Sequence, residues 1–367
     1  MLLMNSRSVV ASAFFLALLV PACSGTDAPV DDTGSSEDEA TANGKSGPGF
    51  PGAYASPTIA RDGSTYHAYF AKQSIDGKQF NVPHGTFTAD GKWTLRGEAL
   101  PKLGAQTKAG SVVWAPAVAK IDDTHWMLYY TADLAGTDQK KCIWRAHSSD
   151  AHGPFVDDYD GPIECLDGSL WAIDPYLVQD GQGDWMLGAR LDLPGGINTI
   201  QVRKLGPLAQ HFAVDSAWKM LTRNSPNSWE QPVLENAGLV HLAAPDGTKH
   251  WFVFYSGRSW DTDKYAVGYA DCGLSIDGDD NGAGNPRCKK MTPNGPWLET
   301  DSSQKLFGPG TPTFYTDEAG DDLMSVQAWQ HSGGKANKNN NGQIMQTFKI
   351  HIDNGFAPHV KLLRTDL

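Results

Sequence analysis

Two carboxylates, Asp174 in Ile173-Asp174-Pro175 and Glu235 in Leu234-Glu235-Asn236, stand 61 residues apart at the heads of two similar segments. Brought into one pocket, they would suit cleavage of a glycosidic bond, which needs one protonated carboxylic acid and one ionised carboxylate flanking the sugar. Glu235 follows the apolar run Pro232-Val233-Leu234. A long acid beside apolar neighbours and a second carboxylate should hold its proton to higher pH, as a general acid requires. Asp174 would raise that affinity and orient the acid. Taken singly, each has a plainer reading: Asp174 as the cap of a turn before Pro175, and Glu235 as a solvated turn residue.

What would join them is a repeat. Ser56-Pro57-Thr58-Ile59, Ala115-Pro116-Ala117-Val118, Asp174-Pro175-Tyr176-Leu177 and Glu235-Asn236-Ala237-Gly238 read as copies of one pattern. Each is followed, across a polar turn, by an aromatic-rich run such as Trp126-Met127-Leu128-Tyr129-Tyr130 or Trp251-Phe252-Val253-Phe254-Tyr255. Pro57, Pro116 and Pro175 recur every 59 residues, and a more divergent fifth copy starts at Gly308-Pro309-Gly310-Thr311. A period of this length, made of short strands and turns, marks propeller blades arranged around an axis. The sequence therefore predicts an all-β, five-bladed β-propeller in which the first residues of the copies converge on a central pocket. Only the stretch from Leu205 to Leu221 has the pattern of a helical turn.

Composition narrows the function. A formal net charge of -12 argues against a nucleic-acid partner, since phosphate contacts need a basic surface. Residues 1–22 contain Arg7 and an apolar run from Val9 to Val20, too short for a mature membrane span but suited to an export signal. Cys23, directly after small residues, fits a lipidated cysteine that would hold the chain on an outer membrane or cell surface; plain cleavage would leave it secreted. Residues 23–49 are Ser, Thr, Asp, Glu, Gly and Ala for the most part and cannot repay their ordering entropy, which makes them a linker. Residues 50–367 then form the propeller, expected as a monomer. Four further cysteines in an exported chain imply disulfides with three possible pairings. Cys142–Cys165 and Cys272–Cys288 are the local ones, preferred because propeller geometry holds distant blades apart.

Other candidates surround the expected pocket. Trp114, Trp171, Trp229 and Trp260 could stack on sugar rings, with Trp114 and Trp260 the better placed, although tryptophan also fills contacts between blades. Arg190 could bind a sugar hydroxyl or fix a carboxylate, and Arg258 could do so from the blade-four loop; a structural ion pair explains either as well. Asp277, Asp279, Asn281 and Gly282 follow the first half of a calcium-loop pattern, but Cys288 stands where that pattern needs glutamate, so a disulfide-closed polar loop is the simpler reading. No organic cofactor is implied.

Trp114-Ala115-Pro116, Ile173-Asp174-Pro175, Glu235-Asn236, Phe254-Tyr255-Ser256-Gly257, Trp260-Asp261-Thr262, Tyr265 to Cys272 and Gly308-Pro309-Gly310 occur in an order and spacing that resembles glycoside hydrolase family 43. That is the five-bladed arabinanase, arabinofuranosidase and xylosidase group. The resemblance spans roughly residues 50–330. It implies action on arabinose- or xylose-containing plant polysaccharide or oligosaccharide, α-L-arabinofuranosidase-like, with inversion. It also implies Glu235 as general acid and Asp174 as the residue that tunes the acid's pKa and positions the sugar.

Two positions depart from that family. Its general base is an aspartate in an Asp-Pro pair opening blade one, and here the pair reads Ser56-Pro57. Serine cannot take a proton from water unaided at neutral pH. The family's histidine before Ala-Trp near the end of blade five is Gln327 here. Another carboxylate could serve as base, with Asp261 or Asp263 better placed than Asp62, which should lie in an outer turn before Gly63. Alternatively, the propeller binds a glycan without cleaving it.

Overall fold

The computed structural model describes residues 49–277, 285–336 and 342–366, with side chains described through 363. Short runs rich in β-branched and aromatic residues, cut by tight polar turns, form five separate antiparallel sheets, one per blade. Blade one pairs β1 (Thr58–Asp62), β2 (Thr65–Tyr69), β5 (Pro83–Phe87) and β6 (Trp93–Glu98), with a small hairpin of β3 (Gln73–Ile75) and β4 (Lys78–Phe80) between them. Blade two has three strands, β7 (Trp114–Asp122), β8 (His125–Asp133) and β9 (Lys141–Ser148). Blade three comprises β10 (Ala172–Gln179), β11 (Trp185–Leu193), β12 (Ile197–Lys204) and β13 (Lys219–Arg223). Blade four comprises β14 (Leu234–Ala243), β15 (Lys249–Gly257), β16 (Ala266–Gly273) and β17 (Lys289–Lys290). Blade five comprises β18 (Phe307–Thr316), β19 (Asp322–Trp329), β20 (Gln343–Ile352) and β21 (Pro358–Asp366). The helical turn expected between Leu205 and Leu221 is a single 3₁₀ turn at Pro207–Ala209.

The first strand of each blade, β1, β7, β10, β14 and β18, lies innermost, and these five line one axial cavity. Aromatic and aliphatic side chains fill the wedges between neighbouring blades, as where Tyr69, Trp126, Tyr130, Trp144 and Phe155 are buried together. No strand is shared between the first and last blades, so side chains close the ring. Tyr66 packs edge-on against Tyr315 with centroids 5.6 Å apart, and the Arg61 guanidinium donates to the Asp317 carbonyl at 2.7 Å. Both local disulfides, Cys142–Cys165 and Cys272–Cys288, are present.

The inner strands carry a repeated distortion that corrects the alignment of the copies. Ser56, Ala115, Asp174, Asn236 and Thr311 all adopt left-handed φ, between 40° and 53°. In blades two to five this residue sits inside a bulge, where pairing skips from Trp114 to Ala117, Ile173 to Tyr176, Glu235 to Gly238 and Gly310 to Gly310+3, that is Thr313. The counterpart of Asp174 is therefore Asn236, not Glu235, and in blade five it is Thr311, not Gly308. Glu235 is the counterpart of Trp114, Ile173 and Gly310, one residue earlier. A non-glycine residue in this conformation costs roughly 1–2 kcal/mol, and a bulge re-aims side chains that regular pleating would send to alternate faces.

Candidate active site

The bulges turn the head of each inner strand toward the axis, and each left-handed residue needs a partner for its backbone N–H. For Asp174, Thr311, Ser56 and Asn236 the preceding blade supplies it. Thr131 Oγ1 accepts from Asp174 N at 3.1 Å, Ser256 Oγ from Thr311 N at 2.8 Å, and Gln327 Oε1 from Ser56 N at 2.7 Å. Thr131, Ser256 and Gln327 are equivalent residues, each opposite the start of the bulge on the second strand. Gln327, at the position where the resemblance implies histidine, thus holds the Ser56 backbone across the junction that closes the ring.

Blade three breaks this pattern, and the break assembles the acidic site. Its equivalent residue is Arg190, opposite Ile173, and the Asn236 N–H is instead accepted by Asp174 Oδ2 at 3.1 Å. Arg190 forks between two acids: Nη1 donates to Glu235 Oε2 at 3.0 Å, while Nε and Nη2 donate to Asp192 Oδ1 and Oδ2 at 2.9 and 3.2 Å. Asn198 Nδ2 also donates to Asp192, at 2.9 Å. The Tyr265 hydroxyl donates to Glu235 Oε1 at 3.0 Å, so both oxygens of Glu235 are engaged. Of the three explanations the sequence left for Arg190, its contacts match two, fixing a carboxylate at Glu235 and a structural ion pair with Asp192.

Asp174 and Glu235 are only 5% and 8% exposed, and a single cation, Arg190, faces them and Asp192. Burial is the largest influence on Asp174, and with the neighbouring Glu235 charge it raises the carboxyl to about 7. Burial also raises Glu235, outweighing the opposing pull of Arg190 and the Tyr265 hydroxyl. The pair therefore keeps a proton well above the usual carboxylate range, through burial and mutual repulsion rather than through the Pro232-Val233-Leu234 run alone. Burial and the Glu235 charge keep the Tyr265 phenol protonated, as a donor to Glu235.

The raised Asp174 value has a consequence for stability. In the unfolded chain an aspartate loses its proton near 3.9, whereas folded Asp174 holds its own to about 7. The stability so contributed is complete below the unfolded value and is lost as pH rises through 7. Asp174→Asn, which keeps an oxygen to accept the Asn236 N–H, should remove that loss, and its melting temperature should gain a few degrees on wild type at pH 8 while matching it near pH 4. Calorimetry across that range tests this; parallel declines in both proteins would mean that Asp174 is already ionised in the fold.

The other sequence candidates divide. Trp114 heads β7 beside Trp171, with ring centroids 5.9 Å apart, and the Lys141 ammonium lies 4.2 Å over the Trp114 ring. Trp260, on the loop after β15, is 44% exposed; its ring stacks on Trp329, and the Lys335 ammonium lies 5.2 Å from its centroid. Trp229 is structural: its Nε1 donates to the Thr292 carbonyl and its ring packs on Tyr255. Arg258 does not join the site, because its guanidinium donates to the backbone carbonyls of Trp229 and Lys264. Asp277 accepts from Ser275 Oγ at 2.5 Å, while Asp279, Asn281 and Gly282 lie outside the described residues, as does Cys23.

None of the proposed substitute bases reaches the axial cavity. Asp62 pairs with Lys120 at 3.0 Å at the outer end of β1. Asp261 accepts from Ser259 Oγ and Asp263 from the Gly333 N–H, both inside the rim loops of blades four and five. Among the described residues that line the cavity, Asp174 is the only carboxylate, and Ser56 stands at the head of blade one.

Tyr265 and Gly310 stand in the sequence only as parts of the repeat and family-like motifs, and nothing in the sequence gives them, Asp192 or Asn198 a role in the site. Gly310 matters by what it lacks: a Cβ there would lie 1.9 Å from the Tyr265 ring. Blade five thus leaves empty the position that blade four gives to Glu235, and Tyr265 occupies the space. Gly310→Ala should push Tyr265 off Glu235, lowering turnover at least tenfold with a lower melting temperature. An Ala variant with unchanged kcat would remove Tyr265 from support of the acid.

Five self-contained blades around an axial cavity with a buried carboxyl pair define a propeller of the glycoside-hydrolase type. The sequence matches the profile of Glycosyl hydrolases family 43 over residues 47–356, and the chain belongs to that family. Among curated proteins, none matches it in sequence. Similar solved structures include a thermostable family-43 glycoside hydrolase, with TM-score 0.65 and 18% identity over 85% of this chain and 94% of that one. An endo-1,4-beta-xylanase from Bacteroides thetaiotaomicron has TM-score 0.65 and 19% identity over 87% and 96% of the two chains. The alpha-L-arabinanase of Cellvibrio cellulosa has TM-score 0.61 and 16% identity over 84% and 96%. At these identities the likeness concerns the fold.

Proposed function

We propose that the protein hydrolyses glycosidic bonds in arabinose- or xylose-containing polysaccharides or oligosaccharides, in an α-L-arabinofuranosidase-like manner and with inversion. The observation that carries this is the buried pair of Asp174, which lines the axial cavity, and Glu235 beside it at the head of blade four, both holding protons above the ordinary carboxylate range. Glu235 protonates the leaving oxygen as the glycosidic bond breaks. Asp174 raises the proton affinity of that acid, Arg190 and Tyr265 fix its two oxygens, and Trp114 and Trp260 offer aromatic faces to sugar rings. Water attacks the anomeric carbon from the opposite side and gives up its proton to a base not among the cavity-lining carboxylates. Family membership supports the substrate class, as do the structural neighbours, one an arabinanase determined in complex with arabinohexaose. Residues 1–22 would direct export and lipidated Cys23 would anchor the propeller at the membrane, which incorporation of labelled palmitate tests.

A second reading, a propeller that binds such glycans without turnover, is favoured by one observation: Ser56 at the head of blade one, with no carboxylate but Asp174 lining the cavity. The purified protein should release sugar from aryl arabinofuranosides, arabinan or xylan. Oligosaccharide binding without any release across these substrates would overturn hydrolysis and establish the binding module.

A further inference from the structure

A second cluster of titratable side chains lies apart from the axial cavity. His67 on β2 and His84 on β5 sit on neighbouring strands of blade one; His67 is opposite Thr86, so His84, two residues along, shares its face. That face meets blade two, where Trp126 packs on the His67 ring at 6.0 Å. The segment after β9 brings His152 to the same point, with its ring centroid 5.1 Å from His67 and 5.2 Å from His84. The Asp150 carboxylate accepts the His152 N–H at 2.7 Å, and Tyr69 donates its hydroxyl to the Ala151 carbonyl at 2.5 Å, so this segment is held against blade one.

One ring nitrogen from each of the three imidazoles lies within 4.8 Å of the others, the one such group among the described residues. His67 Nδ1 and His84 Nε2 are 3.1 Å apart. Two nitrogens bound at 2.0–2.1 Å to one tetrahedral ion would be about 3.4 Å apart, so the pair already has nearly the spacing of ligands. A hydrogen bond between two neutral rings also explains that distance, but not the arrival of the third ring at the same point.

We propose that His67, His84 and His152 form a three-imidazole site for a divalent transition-metal ion, zinc being the best match, which ties the segment after blade two to blade one. Imidazole nitrogen suits zinc, nickel and copper rather than calcium or magnesium, which take oxygen. His67 and His84 are both buried where their strands face blade two. His152 is exposed, which leaves a fourth position open to water. None of the three lines the axial cavity, so the site is structural and independent of the hydrolytic reading.

The test uses tag-free protein stripped with chelator and dialysed into buffered zinc. Wild type should retain one ion per chain, gain melting temperature with zinc, and show the intense visible bands of tetrahedral Co²⁺ when cobalt replaces zinc. His152→Ala, which changes only an exposed ring, and His67→Gln should each lose the ion and the zinc-dependent gain in melting temperature. Equal zinc content in wild type and His152→Ala, or no retained ion in wild type, would overturn the proposal whether or not the protein cleaves glycans.

Discussion

Ser56→Asp should raise kcat on arabino- or xylo-oligosaccharides by about a hundredfold, since a positioned general base contributes roughly 10²–10⁴ in rate. The backbone already accommodates the change. Ser56 has φ 45°, and its counterpart in blade three is an aspartate at φ 53°; aspartate tolerates that region better than most residues. A carboxylate there would line the cavity at the head of blade one, beside Asp174, and would supply the base while Glu235 of blade four supplies the acid, the two groups that inversion needs. A small carboxylate such as formate, added to wild type, should reproduce part of the gain and should add nothing to the aspartate variant. Stopped assays with and without formate measure both effects. If Ser56→Asp leaves kcat unchanged while Glu235→Gln abolishes it, water is activated from elsewhere and the blade-one head has no part in the chemistry.

Glu235→Gln should lower kcat on natural linkages by about a thousandfold, within the range of general-acid contributions. The same change should cost far less on aryl glycosides with good leaving groups, which depart without protonation. The isosteric amide keeps one oxygen for Arg190 and can turn its NH2 to donate to the Tyr265 hydroxyl oxygen, so the melting temperature should move little. In wild type, activity should fall at high pH as the carboxyl pair, whose Asp174 member titrates at about 7, loses its proton. That alkaline limb should vanish in the variant. Equal losses on both substrate classes, with the limb intact, would take Glu235 out of the acid role and leave it a positioning residue.

These outcomes depend on a junction that chain order does not reveal. The 59-residue spacing of Pro57, Pro116 and Pro175 is enough to expect five blades, because each blade repeats the same strands and turns and its prolines sit where an inner strand begins. The two disulfides were legible for a related reason: each joins a late strand to its own following loop. Blade four lacks the proline, having Ala237 instead, and there the repeat could be aligned one residue out of place. Only the bulge between Glu235 and Gly238 shows Asn236 in the left-handed position that Asp174 holds one blade earlier.

The sequence by itself determined the all-β repeating architecture and the two acids, since strand pattern, turn residues and the Asp-Pro frame are local properties written in consecutive residues. It also determined that Ser56 replaces the expected base. The tertiary structure decided the surroundings of those acids: Arg190 shared between Glu235 and Asp192, Tyr265 seated in the gap left by Gly310, and Gln327 holding Ser56 across the closure of the ring. It also removed Arg258, Asp62, Asp261 and Asp263 from the cavity. The contacts of Arg190 with Glu235, Tyr265 with the gap at Gly310, and Gln327 with Ser56 each join different blades, and the charge balance of the acids depends on burial. Both arise only when the blades close around the axis, so no local pattern along the chain could encode them.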